Sequence, residues 1–180
     1  MANSKIVQTM EKEFWLKSTG KKIKLFDHQK RILNEMFREE KGKLVYTTMV
    51  YSCPKKSGKT EVAAGVTYAF ARRYGGEMYS IANDEEGAKN RMYDRMVQAL
   101  LMMKEKDPAL FDEVMPDNKQ RRERIALAGS VQFAEGKQKN FGPHVLKYVA
   151  SDYAGEAGSM NAMCVFDELW GISSERGERL

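Results

Sequence analysis

Hydrophobic and polar positions alternate along the chain with a period that changes from segment to segment. In residues 27–40, DHQKRILNEMFREE, the apolar positions recur every three or four residues, which predicts an amphipathic helix with Asp27 as its N-cap. Residues 44–52, LVYTTMVYS, are β-branched and aromatic, which predicts a buried strand. Residues 1–24 are polar and dotted with lysine, so we expect an irregular or short helical lead-in and a domain over 25–180.

The central part of the pattern alternates between helices and strands. A helical period follows Lys59 and stops near Gly75, and the sequence EMYSIA then predicts a second strand. In residues 84–105 the apolar positions again step by three and four, which predicts one long helix. Its apolar stripe is expected to belong to the core and consists of Met92, Met96, Leu100 and Met103.

The last third of the chain is expected to add strands to the same sheet. An irregular acidic piece is predicted for residues 107–118, followed by a hairpin in RERIALAGSVQFAE that turns at Gly129 and Ser130. HVLKYVAS and AMCVFDE predict two more strands. The order of helices and strands therefore predicts an α/β domain with a largely parallel sheet.

Composition narrows the class of protein. A chain of 180 residues, with 42% hydrophobic and 31% charged residues, fits one globular domain. No apolar run approaches the roughly 18 residues that span a membrane, and the N-terminus lacks the apolar region of a secretory signal, so the expected location is the cytosol. The net charge of +5 suits contact with a polyanion. Two scattered cysteines and two histidines argue against a disulfide framework or a zinc site.

The segment VYSCPKKSGKTEVAAG comes close to the phosphate-binding pattern G-x-x-x-x-G-K-[ST], with Cys53 in place of the first glycine. Such a loop needs backbone N–H groups that converge at a helix N-terminus, where the helix dipole favours an anion. Gly58 avoids a side chain at the tightest point, Lys59 would neutralise the β- and γ-phosphates, and Thr60 would offer its hydroxyl to Mg²⁺. The alternative is a charged turn without a ligand.

A second motif, NAMCVFDELW, supplies the acidic partner that a phosphate loop requires. Four apolar residues, 163–166, predict a buried strand beside the strand of the loop. Asp167 then follows as the Mg²⁺ partner, and Glu168 as the base that orients and deprotonates the attacking water. Cys53 and Cys164 would be neighbours on adjacent strands. The alternative is an ordinary strand that ends in two surface acids.

With both motifs in place, the chain resembles the large terminase subunit of tailed bacteriophages, the motor that pumps DNA into the procapsid. The likeness covers most of residues 25–172 and is carried by four segments, CPKKSGKTEVAAG, LFDHQKRIL, SIANDEEGAKNRMYDRMVQAL and YVASDYAGEAGSMNAMCVFDELW. It implies a P-loop NTPase fold of the additional-strand, catalytic-glutamate type, with a mostly parallel central sheet flanked by helices.

The resemblance also implies ligands and partners. ATP and Mg²⁺ would be bound, with Gln29 contacting adenine, and Glu168 and Lys59 acting in catalysis. The implied partners are double-stranded DNA, the portal protein, the small terminase subunit and further copies in a ring, in the host cytoplasm. The nucleotide would be held by Gln29, Cys53, Pro54, Lys55, Lys56, Ser57, Gly58, Lys59 and Thr60.

The chain departs from the family pattern in two places. Gly87-Ala88 stands where members often carry Gln-Ala, so that helix matches less closely. Only 12 residues follow Glu168, so the chain is interpreted as truncated on its C-terminal side, without the family's next strand and without its nuclease domain.

Several roles stay open from the sequence. Lys55 and Lys56 are either charge sensors near the γ-phosphate or solvated turn lysines, and Gln29 is either the adenine reader or a polar residue on an exposed helix face. The segment NKQRRER, 118–124, either contacts DNA phosphates or faces water as a basic loop. A superfamily 2 helicase-like ATPase and a non-catalytic nucleotide-binding remnant are the competing functions. An arginine that reaches a neighbouring subunit's phosphate is sought among Arg91, Arg95, Arg121, Arg122 and Arg124.

Overall fold

The computed structural model describes residues 4–134, 144–150 and 161–166. The helices in these ranges are α1 (Lys5–Glu13), α2 (Asp27–Met36), α3 (Lys59–Arg73), α4 (Glu85–Ala88), α5 (Asp94–Lys106), α6 (Pro108–Val114) and α7 (Lys119–Glu123), with a π-helical turn at Lys89–Tyr93. The strands are β1 (Trp15–Leu16), β2 (Lys21–Lys22), β3 (Glu39–Glu40), β4 (Lys43–Leu44), β5 (Glu77–Ala82), β6 (Ala126–Leu127), β7 (Ser130–Gln132), β8 (Val145–Ala150) and β9 (Asn161–Phe166).

Five of these strands form one sheet in the order β6-β7-β8-β5-β9. β5 pairs in parallel with β8 on one side and β9 on the other, whereas β7 is antiparallel to both β6 and β8. The prediction of an α/β domain is confirmed, but the sheet is mixed where a largely parallel one was expected. The hairpin is the reason. It turns through Ala128 and Gly129, both with positive φ, and its second strand pairs antiparallel with β8.

The helix and strand at the centre of the fold form as the apolar pattern predicts. α3 ends at Arg73, the link contains Gly75 and Gly76 with φ of +71° and +91°, and β5 starts at Glu77. From Met78 to Ala82 every residue of β5 is buried, because the strand has a neighbour on each edge and helices cover it. Ser80 completes the packing by donating a hydrogen bond to the Ala88 carbonyl at 2.9 Å.

The methionine stripe lies in the core, as predicted, although the long helix is not continuous. Met92, Met96 and Met103 have no measurable exposure. The chain leaves helical geometry at Arg91, where φ is −99° and ψ −107°, within the π-helical turn that precedes α5. A π-helical turn is a common cause of such a kink.

The N-terminal segment packs on the same core. α1 buries Ile6, Val7 and Met10, and it lies against α3, where the Met10 side chain approaches so closely that a Cβ on Gly65 would come within 2.8 Å of it. Glu13 at the end of α1 accepts a hydrogen bond from the Tyr68 hydroxyl at 2.8 Å and another from Arg72, at 3.2 Å. Burial of the Tyr68 hydroxyl, and after it the negative charge of Glu13, raises the pKa of Tyr68.

The predicted strand 44–52 is wrong. Only Leu44 belongs to a strand, in the short β3–β4 pair, and residues 45–58 contain no helix or strand. Tyr46 is 38% and Val50 82% exposed, whereas Met49 is partly buried and packs against the core, so the segment covers the core only in part. A strong β-propensity expresses how well a side chain fits a pleated, half-buried surface, and no strand pairs with this segment among the residues described.

Two further predictions are corrected at helix starts. The segment 107–118 is irregular only in part, because Asp107 caps α6 by accepting a hydrogen bond from the Leu110 N–H at 3.3 Å and Pro108 opens this helix, which ends at Val114. The N-cap of α2 is Phe26 and not Asp27. No helix in the described ranges combines the length and apolarity needed to cross a membrane.

Candidate nucleotide-binding site

The predicted phosphate loop forms a compact turn at residues 53–58. The Ser57 hydroxyl donates a hydrogen bond to the Cys53 sulfur at 2.9 Å, which closes the turn. Lys56 and Gly58 both have left-handed backbones, with φ of +64° and +77°. A Cβ on Gly58 would meet nothing within 4 Å, so the backbone angle and not crowding favours glycine here. Left-handed residues of this kind turn neighbouring N–H groups to one side, as in anion-binding nests.

α3 starts directly after this turn. Gly58 is its N-cap and offers no side-chain hydrogen bond to the first turn of this 15-residue helix, whose N–H groups point toward the loop. Lys59 and Thr60 in its first turn are half-buried. No carboxylate in the described ranges forms an ion pair with Lys59, because the nearby Glu61 pairs with Arg95 at 3.5 Å. The start of α3 therefore combines a positive helix end with an uncompensated lysine.

Gln29 is connected to the entry of this loop. It is only 5% exposed, so the interpretation of a polar residue on an exposed helix face is wrong. Its side-chain oxygen accepts a hydrogen bond from the Phe26 N–H at 2.9 Å, and its side chain lies beside Tyr51, which in turn lies beside Cys53. Burial, with Cys53 nearby, raises the pKa of Tyr51. Tyr51 is a site residue that was not predicted, although an aromatic residue two positions before Cys53 is a signal in the sequence.

The order of elements brings the loop and the end of β9 to the same edge of the sheet. Only three residues separate α3 from β5, so helix and strand run in opposite directions. α3 is about 22 Å long and β5 about 20 Å, so the start of α3 lies near the end of β5. β9 runs parallel to β5 with Phe166 beside Ile81, and α3 packs against β9. The end of β9, at Phe166, is therefore at the same edge of the sheet as the start of α3.

The acidic pair itself, Asp167 and Glu168, lies outside the described residues. The strand before it differs from the expectation. Cys164 and Phe166 are exposed, so β9 is not a run of four buried residues, and its neighbour is β5 and not the loop segment. β9 stands at the end of the strand order within the described part, and an end strand leaves alternate side chains exposed. Cys53 is not on a strand and is therefore not the strand neighbour of Cys164.

The remaining loop residues and the candidate arginines are placed as follows. Pro54, Lys55 and Lys56 are exposed, and neither lysine forms an ion pair within the described residues, so both of their interpretations stay open.

Residues 119–123 form the short helix α7 and not a loop. Arg121 donates to the backbone oxygens of Leu127 and Ser130, both at 3.0 Å. Arg122 donates a hydrogen bond to the Asp112 carboxylate at 2.9 Å, and Arg95 forms an ion pair with Glu61. Arg91 lies at the kink in the π-helical turn before α5, and Arg124 is exposed.

The residues at the loop fit Mg²⁺ only as part of a nucleotide complex. In the described ranges, no group of three or more His, Cys, Asp or Glu side chains is arranged so that it could hold a metal ion. Mg²⁺ is commonly bound by one or two protein oxygens together with substrate phosphates and water. A hydroxyl at Thr60 and a carboxylate after β9 match that requirement. A scan against protein-family models, a search of curated proteins and a search of solved structures each found no match for this chain.

Proposed function

We propose that this chain binds ATP with Mg²⁺ and hydrolyses it as the ATPase part of a motor that moves double-stranded viral DNA into a procapsid. The observation that carries the nucleotide part is the start of α3, where a turn with two left-handed residues leads into Lys59 and Thr60. This turn lies at the edge of the sheet where β9 ends at Phe166, one residue before Asp167 in the sequence. The motor part follows from the resemblance of residues 25–172 to large terminase subunits.

The residues would divide the chemistry between them. The N–H groups at the start of α3 bind the β-phosphate, and the Lys59 ammonium stabilises the negative charge that develops on the γ-phosphate. Thr60 and Asp167 would hold Mg²⁺, which when bound neutralises charge on the phosphates. Glu168 would orient a water molecule and accept its proton as the water oxygen bonds to the γ-phosphorus, while the bond from that phosphorus to the β-phosphate oxygen breaks and releases ADP and inorganic phosphate. Gln29, held beside the loop through Tyr51, contacts the adenine.

A second candidate is a chain that binds nucleotide but does not hydrolyse it. One observation favours it, because residues 45–58 lie outside the sheet. Hydrolysis requires the phosphate loop and the base to be fixed relative to each other, since a displacement of about 1 Å can cost a hundredfold in rate. A loop whose preceding segment is unpaired can still bind phosphates through its own N–H groups.

Binding and turnover of ATP distinguish these functions. Titration calorimetry with Mg²⁺·ATP should detect binding that falls at least tenfold, or about 1.4 kcal/mol, in Lys59→Ala. Lys106→Ala, which removes an exposed lysine at the end of α5, is the matched control and should bind as the parent chain does. Phosphate release by the parent that disappears in Glu168→Gln, with binding retained, would support the ATPase.

Other results separate the alternatives. Lys59-dependent binding without turnover in the parent would favour the non-catalytic chain. If the parent does not bind ATP, or if Lys59→Ala still binds it, both the ATPase and the non-catalytic nucleotide-binding chain are contradicted. A strand-unwinding assay distinguishes a packaging ATPase from a helicase-like enzyme, because only the latter separates the strands.

A further inference from the structure

The net positive charge of this protein is confined to its N-terminal quarter. Residues 1–44 contain 11 of the 30 Lys and Arg residues and six of the 25 Asp and Glu residues, a net charge of +5. The other 136 residues contain 19 of each kind and are neutral overall. The excess of positive over negative charge therefore lies in the first 44 residues.

Within this quarter, the end of α1 and the β1–β2 hairpin carry the most concentrated charge. Residues 12–24, KEFWLKSTGKKIK, contain five lysines and a single acid, Glu13. Glu13 is already bound to Tyr68 and Arg72, so it does not neutralise the lysines around it. Lys22 alone among the five is paired, with Asp107 at 3.4 Å. The four exposed lysines without an ion pair in the described part of the chain, named here the hairpin lysines, are Lys12, Lys17, Lys21 and Lys24.

The backbone under these lysines is held in place by the core. Phe14, Ile23 and Leu25 are at most 6% exposed. The Ile23 N–H donates to the Phe14 carbonyl at 2.8 Å, and the Leu25 N–H donates to the Glu11 carboxylate at 3.1 Å. The lysines therefore project from a fixed hairpin, and binding a ligand would have to order side chains but not the backbone.

The chemistry of this surface favours a phosphate backbone over an anionic membrane. No large apolar side chain between Lys12 and Lys24 is exposed, although a membrane-binding surface normally inserts several such groups, and the exposed Phe26 just beyond stacks on His28. Instead the hairpin tip adds the hydroxyls of exposed Ser18 and Thr19, which are common phosphate contacts. From Lys21 to Lys24 the chain extends about 10 Å, a length over which duplex DNA presents about six phosphate charges.

We propose that the hairpin lysines form a contact surface for the backbone of double-stranded DNA, without base specificity. The proposal deepens the proposed function and rests on it for the choice of DNA, since a packaging motor moves a duplex. It replaces residues 118–124 as the DNA contact, because Arg121 and Arg122 are already bound to backbone oxygens and to Asp112.

Anisotropy of a fluorescently labelled 30-base-pair duplex, at several NaCl concentrations and without nucleotide, tests this surface. The triple variant Lys17→Gln/Lys21→Gln/Lys24→Gln should bind at least tenfold more weakly than the parent at about 0.1 M salt. Its plot of log affinity against log salt should be shallower by about 2–3, since each lost phosphate contact removes about 0.9 from the slope. The matched control Lys89→Gln/Lys106→Gln/Lys119→Gln removes the same charge from exposed positions outside the hairpin and should change binding less than threefold.

Circular dichroism and urea unfolding of both triple variants establish that each is folded, and the hairpin variant should bind ATP as the parent does. Equal weakening by the two triple variants, no weakening by the hairpin variant, or no duplex binding by the parent would overturn the proposal. So would lysine-dependent binding to anionic vesicles without binding to the duplex. If ATP binding depends on Lys59 alongside any of these results, the proposed ATPase function stands and only the DNA-contact surface fails. If the duplex binds through the hairpin lysines but ATP does not bind, the DNA-contact surface stands and the proposed ATPase function fails.

Discussion

Two segments with similar apolar, aromatic character have opposite environments in this protein. EMYSIA becomes β5, the strand with a parallel neighbour on each side, and Met78 at its start has no measurable exposure. VYTTMVYS, which follows β4, is unpaired, and Val50 within it is 82% exposed. Composition alone does not separate the two segments.

The difference lies in what surrounds each segment. β5 follows α3 through a three-residue link, which turns the chain back, and it lies against α4 and the π-helical turn. The segment after β4 has one backbone hydrogen bond that ties it to the preceding pair, from the Val45 N–H to the Arg38 carbonyl at 3.0 Å. A strand is thus stabilised by its pairing partners and by the helices that cover it. β-branched and aromatic side chains are compatible with a strand but do not determine that one forms.

The largest expected effect comes from truncating one apolar side chain in each segment. Met78→Ala should lower the free energy of unfolding by about 2–5 kcal/mol, because it leaves a cavity in a closely packed core. Val50→Ala should change it by less than about 0.5 kcal/mol, because the side chain is already in water. Urea unfolding followed by circular dichroism measures both. Comparable losses in the two variants would mean that Val50 is buried in solution and that its segment belongs to the sheet.

Local periodicity was enough to predict the elements whose partners are close in sequence. α3, β5, the hairpin at Gly129 and the buried methionine stripe all follow from patterns within about 15 residues. The position of residues 45–58 depends on which strands meet across the sheet, which no local pattern contains. The start of α6 was a different failure, since Asp107 followed by Pro108 is a recognisable helix start that the sequence analysis overlooked.

The candidate site divides in the same way. Gly58 and Lys59 could be predicted at the start of a helix, because the loop pattern is contiguous in sequence. The burial of Gln29 and its link to the loop through Tyr51 could not, because they depend on how α2 packs beside a segment 20 residues further on. Asp167 and Glu168 lie outside the described residues, so their role stays a prediction.

Two glycines with the same backbone angle offer a smaller and more closely matched comparison. Gly58, in the loop, and Gly75, before β5, have φ of +77° and +71°. Alanine at either site should cost about 1–2 kcal/mol, because L-residues are strained in this region. At Gly75 the new Cβ would also lie 2.1 Å from Nε2 of buried His144, which should add about 1–3 kcal/mol for overpacking.

Thermal unfolding of Gly58→Ala and Gly75→Ala under identical conditions measures this difference. The second variant should have the lower midpoint. A Gly58→Ala variant that is as unstable as Gly75→Ala would show that the loop is packed as tightly as the link before β5, and the contrast between the two regions would fail.

The smallest expected effect concerns the ion pair that ties the base of the exposed segment to the end of α3. Glu39 on β3 accepts hydrogen bonds from the Tyr74 hydroxyl and from Arg73, whose Nη2 lies 2.6 Å from one carboxylate oxygen and 2.8 Å from the other. The Tyr74 hydrogen bond, and after it the Arg73 guanidinium, lower the pKa of Glu39 below its ordinary value of 4.5. These bonds favour the charged carboxylate in the folded state.

Glu39→Gln should therefore cost about 1 kcal/mol at neutral pH, the upper range for a partly exposed ion pair. A lowered pKa means that the stabilisation is complete above about pH 4.5 and is lost as the pH falls through the lower, folded-state value. The difference between parent and Glu39→Gln should shrink as unfolding is measured from pH 6 toward pH 3. Glu40→Gln is the control, because Glu40 is exposed and its ion pair with Arg38 is 3.8 Å long. A constant difference between parent and Glu39→Gln across this range would show that the carboxylate charge does not hold β3 to α3, and that the exposed segment is anchored by backbone pairing alone.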